Sequence, residues 1–125
     1  TAMANSLSNL VFIIDRNYCQ ANIRTEDLIP LETLGNKFKA FCFEVWEVDG
    51  HSFQELHECF ESIDYTNGVP KVVFVDFKRQ RLPSIENKLD KWFCAYTSDH
   101  QSYLLDELHS ALINVLAQSP ENQPR

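Results

Sequence analysis

Glycine is scarce in this chain. There are three, Gly35, Gly50 and Gly68, and no two lie close enough to build a glycine-rich phosphate loop. A flavodoxin-like or dinucleotide-binding domain is therefore a distant third among the readings below. The four cysteines, Cys19, Cys42, Cys59 and Cys94, form no CxxC pair, so zinc fingers and redox dithiols lack their ligands. In apolar surroundings such thiols pack as small hydrophobes. Unpaired thiols at this density predict a reducing, cytoplasmic setting. No apolar run approaches the roughly 20 residues that cross a bilayer, and no signal-peptide pattern opens the chain, so no membrane is expected as a partner. Basic charge is short too. Eleven Lys and Arg against 18 Asp and Glu leave a net charge of −7, the wrong sign for nucleic acid. An anionic ligand would have to be held locally, by main-chain donors, a few cations or a metal.

What is present suits a folded domain: 44% of the 125 residues are hydrophobic and 23% charged. Three short apolar runs, Leu10 to Ile14, Val45 to Val48 and Val72 to Val75, alternate with helical patterns. The first, inside "NLVFIIDRNYCQ", reads as a strand buried on both faces that delivers Asp15, Arg16 and Asn17 at its carboxyl end. Leu31, Leu34, Phe38 and Phe41 recur at steps of three and four, which predicts a helix opened by Pro30. Phe53, Leu56, Phe60 and Ile63 predict a second, started by a capping box from Ser52 to Glu55 and followed by a turn at Asn67-Gly68. Leu105, Leu108, Leu112, Val115 and Leu116 predict a third, capped by Ser98 or Asp99. A short helix is expected around Ala2 to Asn5. The expected architecture is α/β, three layers αβα around a mostly parallel sheet with right-handed crossovers. Residues 1–118 form the domain, and "SPENQPR" from Ser119 is a disordered polar tail. Three strands are few for such a sheet, so its edge is expected to be covered by a partner or completed by a segment outside the chain.

Several motifs then occur together: Asp15-Arg16-Asn17 after the first strand, Thr25-Glu26-Asp27, Pro30-Leu31-Glu32-Thr33-Leu34, and Val48-Asp49-Gly50-His51 closing the second strand. In this order and spacing they resemble the diphosphate-binding domain of transketolases, above all the short amino-terminal subunits of the bacterial split form. The match runs from residue 2 to about 110. It implies that the chain is the carboxyl-terminal portion of a thiamine-diphosphate-binding fold. Such enzymes use thiamine diphosphate and a divalent cation, Mg²⁺, to move a two-carbon ketol unit between sugar phosphates. By resemblance, Asn17 is a side-chain ligand of the metal, Cys19 lends its carbonyl oxygen, and His51 lines the cofactor site. Neutral hard oxygens suit Mg²⁺ beside a diphosphate. From local sequence alone Asn17 reads as a turn residue after a strand, a reading that the resemblance sets even with that of a metal ligand, and His51 reads as mainly structural. Asp15 and Arg16 read as a solvated or structural pair. His57, His100 and His109 read as surface residues, without the spacing of a zinc site or a nucleophilic triad.

The chain departs from the family pattern at definite positions. The family's Gly-Asp-Gly belongs upstream of Ala2. Tyr18 stands where the family has Gly, Asn22-Ile23 where it has Asp-Gly, Arg79-Gln80-Arg81 where it has Gly-Lys-Gly, and Trp92-Phe93 where it has Trp-His. Lys78, Arg79 and Arg81 read as a solvated cluster. Two readings follow. In the first, the chain anchors cofactor and metal within a transketolase-type transferase completed by a second subunit or an amino-terminal segment, and is inactive and unable to bind cofactor alone. In the second, it is a degenerate, non-catalytic relative kept as an interaction or assembly domain.

Overall fold

A computed structural model describes residues 1–78, 82–86, 88–89 and 96–118. The readings placed on Arg79-Gln80-Arg81, Trp92-Phe93, Cys94 and the tail from Ser119 lie outside those residues. The chain forms two units, Thr1–Lys78 and Arg79–Arg125.

The first unit holds a single 3₁₀ turn at Met3–Asn5, then β1 (Val11–Arg16), β2 (Cys19–Gln20), β3 (Ile23–Arg24), α1 (Thr25–Leu28), α2 (Leu34–Ala40), β4 (Glu44–Asp49), α3 (Phe53–Ser62) and β5 (Lys71–Asp76). β5 lies in the middle of a parallel sheet of order β1-β5-β4. The register aligns Val11, Lys71 and Glu44 at one edge and Arg16, Asp76 and Asp49 at the other. Alternation along the strands then assigns the faces. Val73 and Val75 pack with Cys59 and Ile63 of the α3 segment, joined by Val11, Trp46 and Val48. On the opposite face Phe74 meets Phe38 of α2 edge-on, with Phe43 and Phe12 completing an aromatic cluster at centroid distances of 5.5–5.7 Å. A helix covers each face, so the unit is a three-layer αβα sandwich, as the alternation of elements predicts.

The strand buried on both faces is β5 and not β1. Val72 to Val75 are all buried, whereas Ile13 of β1 is 62% exposed. β1 has one neighbour in this sheet, so its apolar residues are not enclosed. The first helix also differs from expectation. It starts at Leu34 and not at Pro30, which lies in a non-helical stretch after a separate single turn, α1. Glu26 organises that stretch: its carboxylate accepts from the main-chain N–H of Leu31 at 3.1 Å and of Glu32 at 3.4 Å. The α3 start is as read. Ser52 Oγ accepts from Glu55 N at 3.2 Å, but Glu55 returns its carboxylate to Asp49 N at 3.0 Å and not to Ser52, whose own N–H donates to the Asp49 carbonyl. The Asn67-Gly68 turn is present, with Gly68 at φ +74°. The antiparallel β2–β3 hairpin has no sequence signal, since each strand contributes two residues.

The second unit carries α4 (Ser98–Gln118). Its cap is Thr97, whose hydroxyl accepts from His100 N at 3.4 Å, one residue before the expected Ser98. Ser84 donates its N–H and its hydroxyl to Glu107, which ties the 82–86 turn to this helix. No helix among the described residues is long and apolar enough to cross a membrane.

Candidate functional site

The carboxyl edge of the sheet is built from the three strand ends, Arg16, Asp76 and Asp49, in one row. Arg16 points to the α2 face, where it is 7% exposed. A buried guanidinium must be paired, and the 26–32 stretch supplies both partners. Glu26 approaches Arg16 Nη2 at 3.6 Å, and Glu32 accepts a hydrogen bond from the same nitrogen. Asp15 takes no part, so the expected Asp15–Arg16 pair is replaced by these longer-range contacts. The cause is strand alternation, which sends the two side chains to opposite faces.

Asn17 leaves the strand into a turn. Its Oδ1 accepts from Cys19 N at 3.0 Å, an Asx turn of the kind the local reading expects. Tyr18 between them is left-handed, at φ +58°. Its ring lies against Arg16, whose Cζ is 4.3 Å from the ring centroid, and its hydroxyl donates to Asp76 Oδ1 at 3.0 Å. Burial, then the bond to Asp76 and that carboxylate's charge, hold the phenol above its ordinary pKa, against the opposing pull of Arg16. Cys19 opens the β2–β3 hairpin, closed at its base by Thr25 N donating to the Tyr18 carbonyl at 2.9 Å.

His51 belongs to the other side of the sheet. β5 separates its strand, β4, from β1, so about 10 Å of backbone spacing divides the two outer strands. The Asp49-Gly50-His51 turn is tightly tied: Gly50 N donates to the Asp76 carbonyl at 2.8 Å, and His51 N to Asp49 Oδ1 at 2.8 Å. Glycine is required at position 50. A Cβ there would stand 2.7 Å from Val75 Cγ1, 2.8 Å from Phe77 Cε2 and 2.9 Å from the Asp76 carbonyl oxygen. The imidazole packs edge-on against Phe77 at 5.0 Å, and its Nε2 accepts from Lys78 N at 3.0 Å. That bond puts the ring proton on Nδ1 and gives His51 a structural task, closing the end of β5.

Beside Arg16, on the α2 face, lies a cavity of about 60 Å³ lined by Arg16, Tyr18, Glu32, Leu34, Gly35, Glu47, Phe74 and Asp76, and by none of Asn17, Cys19 and His51. Drug-sized ligands fill pockets of roughly 300 Å³ and more, so this one has room for a few waters at most. Its lining carries three carboxylates and one guanidinium. Among the described residues no group of three or more His, Cys, Asp or Glu is placed to hold a metal ion. Sequence reasoning reached Asn17, Cys19 and His51 but missed Glu26, Glu32, Tyr18 and Asp76 as one cluster. The available signal was an arginine ending an apolar strand, which demands nearby carboxylates.

Among curated proteins, the chain is 35% identical over 86 residues to an apulose-4-phosphate transketolase subunit from Phocaeicola vulgatus, matching 69% of this chain and 31% of that protein. It is 27% identical over 108 residues to a 6-deoxy-6-sulfo-D-fructose transketolase subunit from a Clostridium species, matching 86% of this chain and 36% of that protein. The chain is transketolase-related. Among solved structures, a transketolase from Campylobacter jejuni superposes with a TM-score of 0.63 at 21% identity, covering 71% of this chain and 14% of that one. That likeness establishes a shared α/β fold. No protein-family model matches the chain. This transketolase-related chain spans about a third of the length of the curated relatives it matches, and both are named as subunits.

Proposed function

We propose that the chain serves a transketolase-type transferase by presenting Asn17 Oδ1 and the Cys19 carbonyl to a Mg²⁺ that accompanies thiamine diphosphate. The observation that carries this reading is the Asx turn at the carboxyl end of β1, in a chain whose relatives are transketolase subunits. In open α/β sheets that edge is where ligands sit. The residues present fit the cation in kind, since an amide and a main-chain carbonyl are neutral, hard oxygen donors. They do not fit the diphosphate. Glu32, Glu47 and Asp76 face the cavity and Arg16 is already paired, so the diphosphate's charge must be met by groups beyond this cluster.

When bound, thiamine diphosphate supplies the carbanion chemistry of two-carbon transfer between sugar phosphates. This chain's own residues would bind and orient: Asn17 and Cys19 as donors, with Arg16, held by Glu26 and Glu32, bracing the Tyr18 ring between them. Completion by a second subunit or an amino-terminal segment belongs to this proposal, because the relatives are named as subunits and the carboxylates of this cluster do not suit a diphosphate.

Calorimetric titration of thiamine diphosphate with Mg²⁺ tests it, into the chain alone and into the chain with the completing subunit. The expected result is no heat alone, saturable binding in the assembly, and weakened binding in Asn17→Ala. Binding by the assembly that is indifferent to Asn17→Ala removes Asn17 from the site. One observation favours the second reading, a non-catalytic assembly domain: the Tyr18 ring lies where the resemblance calls for glycine, joined to Asp76 on the neighbouring strand. On that reading the subunits associate and no cofactor binds.

A further inference from the structure

We infer that the Tyr18 side chain, clamped between Arg16 and Asp76, is a positioning device that sets the two oxygen donors on either side of it, Asn17 and Cys19. The inference rests on the cofactor reading above for its purpose, though not for its geometry. A tyrosine at φ +58° is disfavoured relative to ordinary backbone, and such conformations persist where the surroundings over-determine them. Here they do. The ring lies on the Arg16 guanidinium, the hydroxyl reaches Asp76 across 58 residues of sequence, and the Tyr18 carbonyl accepts from Thr25 N. Arg16 cannot drift, because Glu26 and Glu32 hold it, and Glu26 is itself fixed by the main chain of Leu31 and Glu32.

The consequence is geometric. Asn17 and Cys19 are the immediate neighbours of a residue pinned at both ring and backbone, and the Asn17 Oδ1 to Cys19 N bond couples them to each other. A glycine at position 18 would leave the turn without the Arg16 stack and the Asp76 bond. In this chain the donor positions therefore depend on the carboxyl end of β5. Tyr18 touches neither cation nor substrate in this account; it acts through its neighbours.

The test has two arms. Amide hydrogen exchange of the chain reads the clamp directly. Tyr18→Phe and Asp76→Ala are each expected to speed exchange of the Cys19 and Thr25 amides about tenfold, the effect of losing one hydrogen bond to a charged group. The double variant should exchange no faster than either single one, and Asp76→Asn, which keeps an acceptor oxygen, should restore most of the protection. Unchanged exchange, or effects that simply add, overturn the inference. The second arm reads positioning: Mn²⁺ affinity of the cofactor-loaded assembly should fall about tenfold in Tyr18→Phe. A merely structural tyrosine would lower the urea midpoint and leave the affinity of the folded assembly alone, so faster exchange with unchanged affinity also overturns it. If the wild-type assembly takes up no cation, the cofactor reading fails by itself. The clamp is then decided by the Cys19 amide alone, with unchanged exchange against it.

Discussion

Each end of the sheet buries one cation, and the two are treated differently. Lys71 begins β5 at the amino edge and is fully enclosed. Its ammonium donates to the Ser8 carbonyl at 3.1 Å, to Asn67 Oδ1 at 2.7 Å and to the Val69 carbonyl, with Glu44 at 3.8 Å. Arg16 ends β1 at the carboxyl edge, paired with carboxylates and an aromatic ring beside a cavity. Three donors of one ammonium spent on three fixed oxygens close a turn and leave nothing to offer. A planar guanidinium with one face stacked and one edge paired shapes the surface next to it. The amino edge is thus a staple and the carboxyl edge a platform.

The sharpest way to break this comparison is to remove the staple. Lys71→Ala strands buried carbonyls and opens a cavity, so unfolding stability should drop by about 3 kcal/mol or more. Glu44→Gln should cost under about 1 kcal/mol, because that carboxylate is partly exposed and the neutral acceptors do the holding. Urea midpoints of the two variants decide it. Equal losses would mean that the ion pair, and not the carbonyl cage, holds Lys71.

The two turn glycines sharpen it next. Gly50→Ala at the carboxyl edge meets atoms of Val75, Phe77 and Asp76 inside 3.0 Å and should cost about 1–3 kcal/mol by overpacking. Gly68→Ala at the amino edge finds its nearest neighbour at 3.6 Å, so the cost there is the left-handed backbone alone, about 1 kcal/mol. A Gly68 variant more damaging than the Gly50 one would invert the reading of which edge is packed to contact.

At Arg16 the expected effect is no larger than at Gly68. Arg16→Lys keeps the charge near Glu26 and Glu32 but loses the planar stack on Tyr18, about 1 kcal/mol. Its larger consequence should be local, a rise in amide exchange across residues 18–24 greater than the stability loss read from the urea midpoint accounts for. A uniform rise over all three strands would make Arg16 a staple like Lys71.

How much of this was legible follows from where each signal lives. Periodicity reached the three long strands to within two residues and the α3 start through Ser52 and Glu55, because those signals are local. It misassigned β1 as the buried strand. Apolar runs in β1 and β5 look alike, and which lies central depends on sheet order. Asn17 was legible as a turn residue from its own chemistry. Tyr18 was legible only as an absent glycine, since its partner Asp76 is 58 residues distant. Lys71 was not singled out, because its oxygens come from the Asn67–Val69 turn and from Ser8, 63 residues away, and only the fold assembles them.

The smallest expected effects are in pH, where the two edges respond at opposite ends of the scale. Tyr18 is held above its ordinary value in the fold, by burial first and then by Asp76, with Glu47 adding and Arg16 opposing. The folded state therefore favours the neutral phenol. That contribution is complete below the ordinary phenol value near 10, and is lost as pH rises from there through the raised value. Asp64, near the amino edge, is held below its ordinary value because Thr66 donates both its hydroxyl and its N–H to the carboxylate, with a further pull from Lys71. Its contribution is present at neutral pH and is lost as pH falls through the carboxylate range. Following the urea midpoint against pH in Tyr18→Phe and Thr66→Val separates them. The first variant should flatten the alkaline limb without touching the acid one, and the second the reverse. An alkaline limb that survives Tyr18→Phe belongs to other phenols or lysines and detaches Tyr18 from the stability of the carboxyl edge.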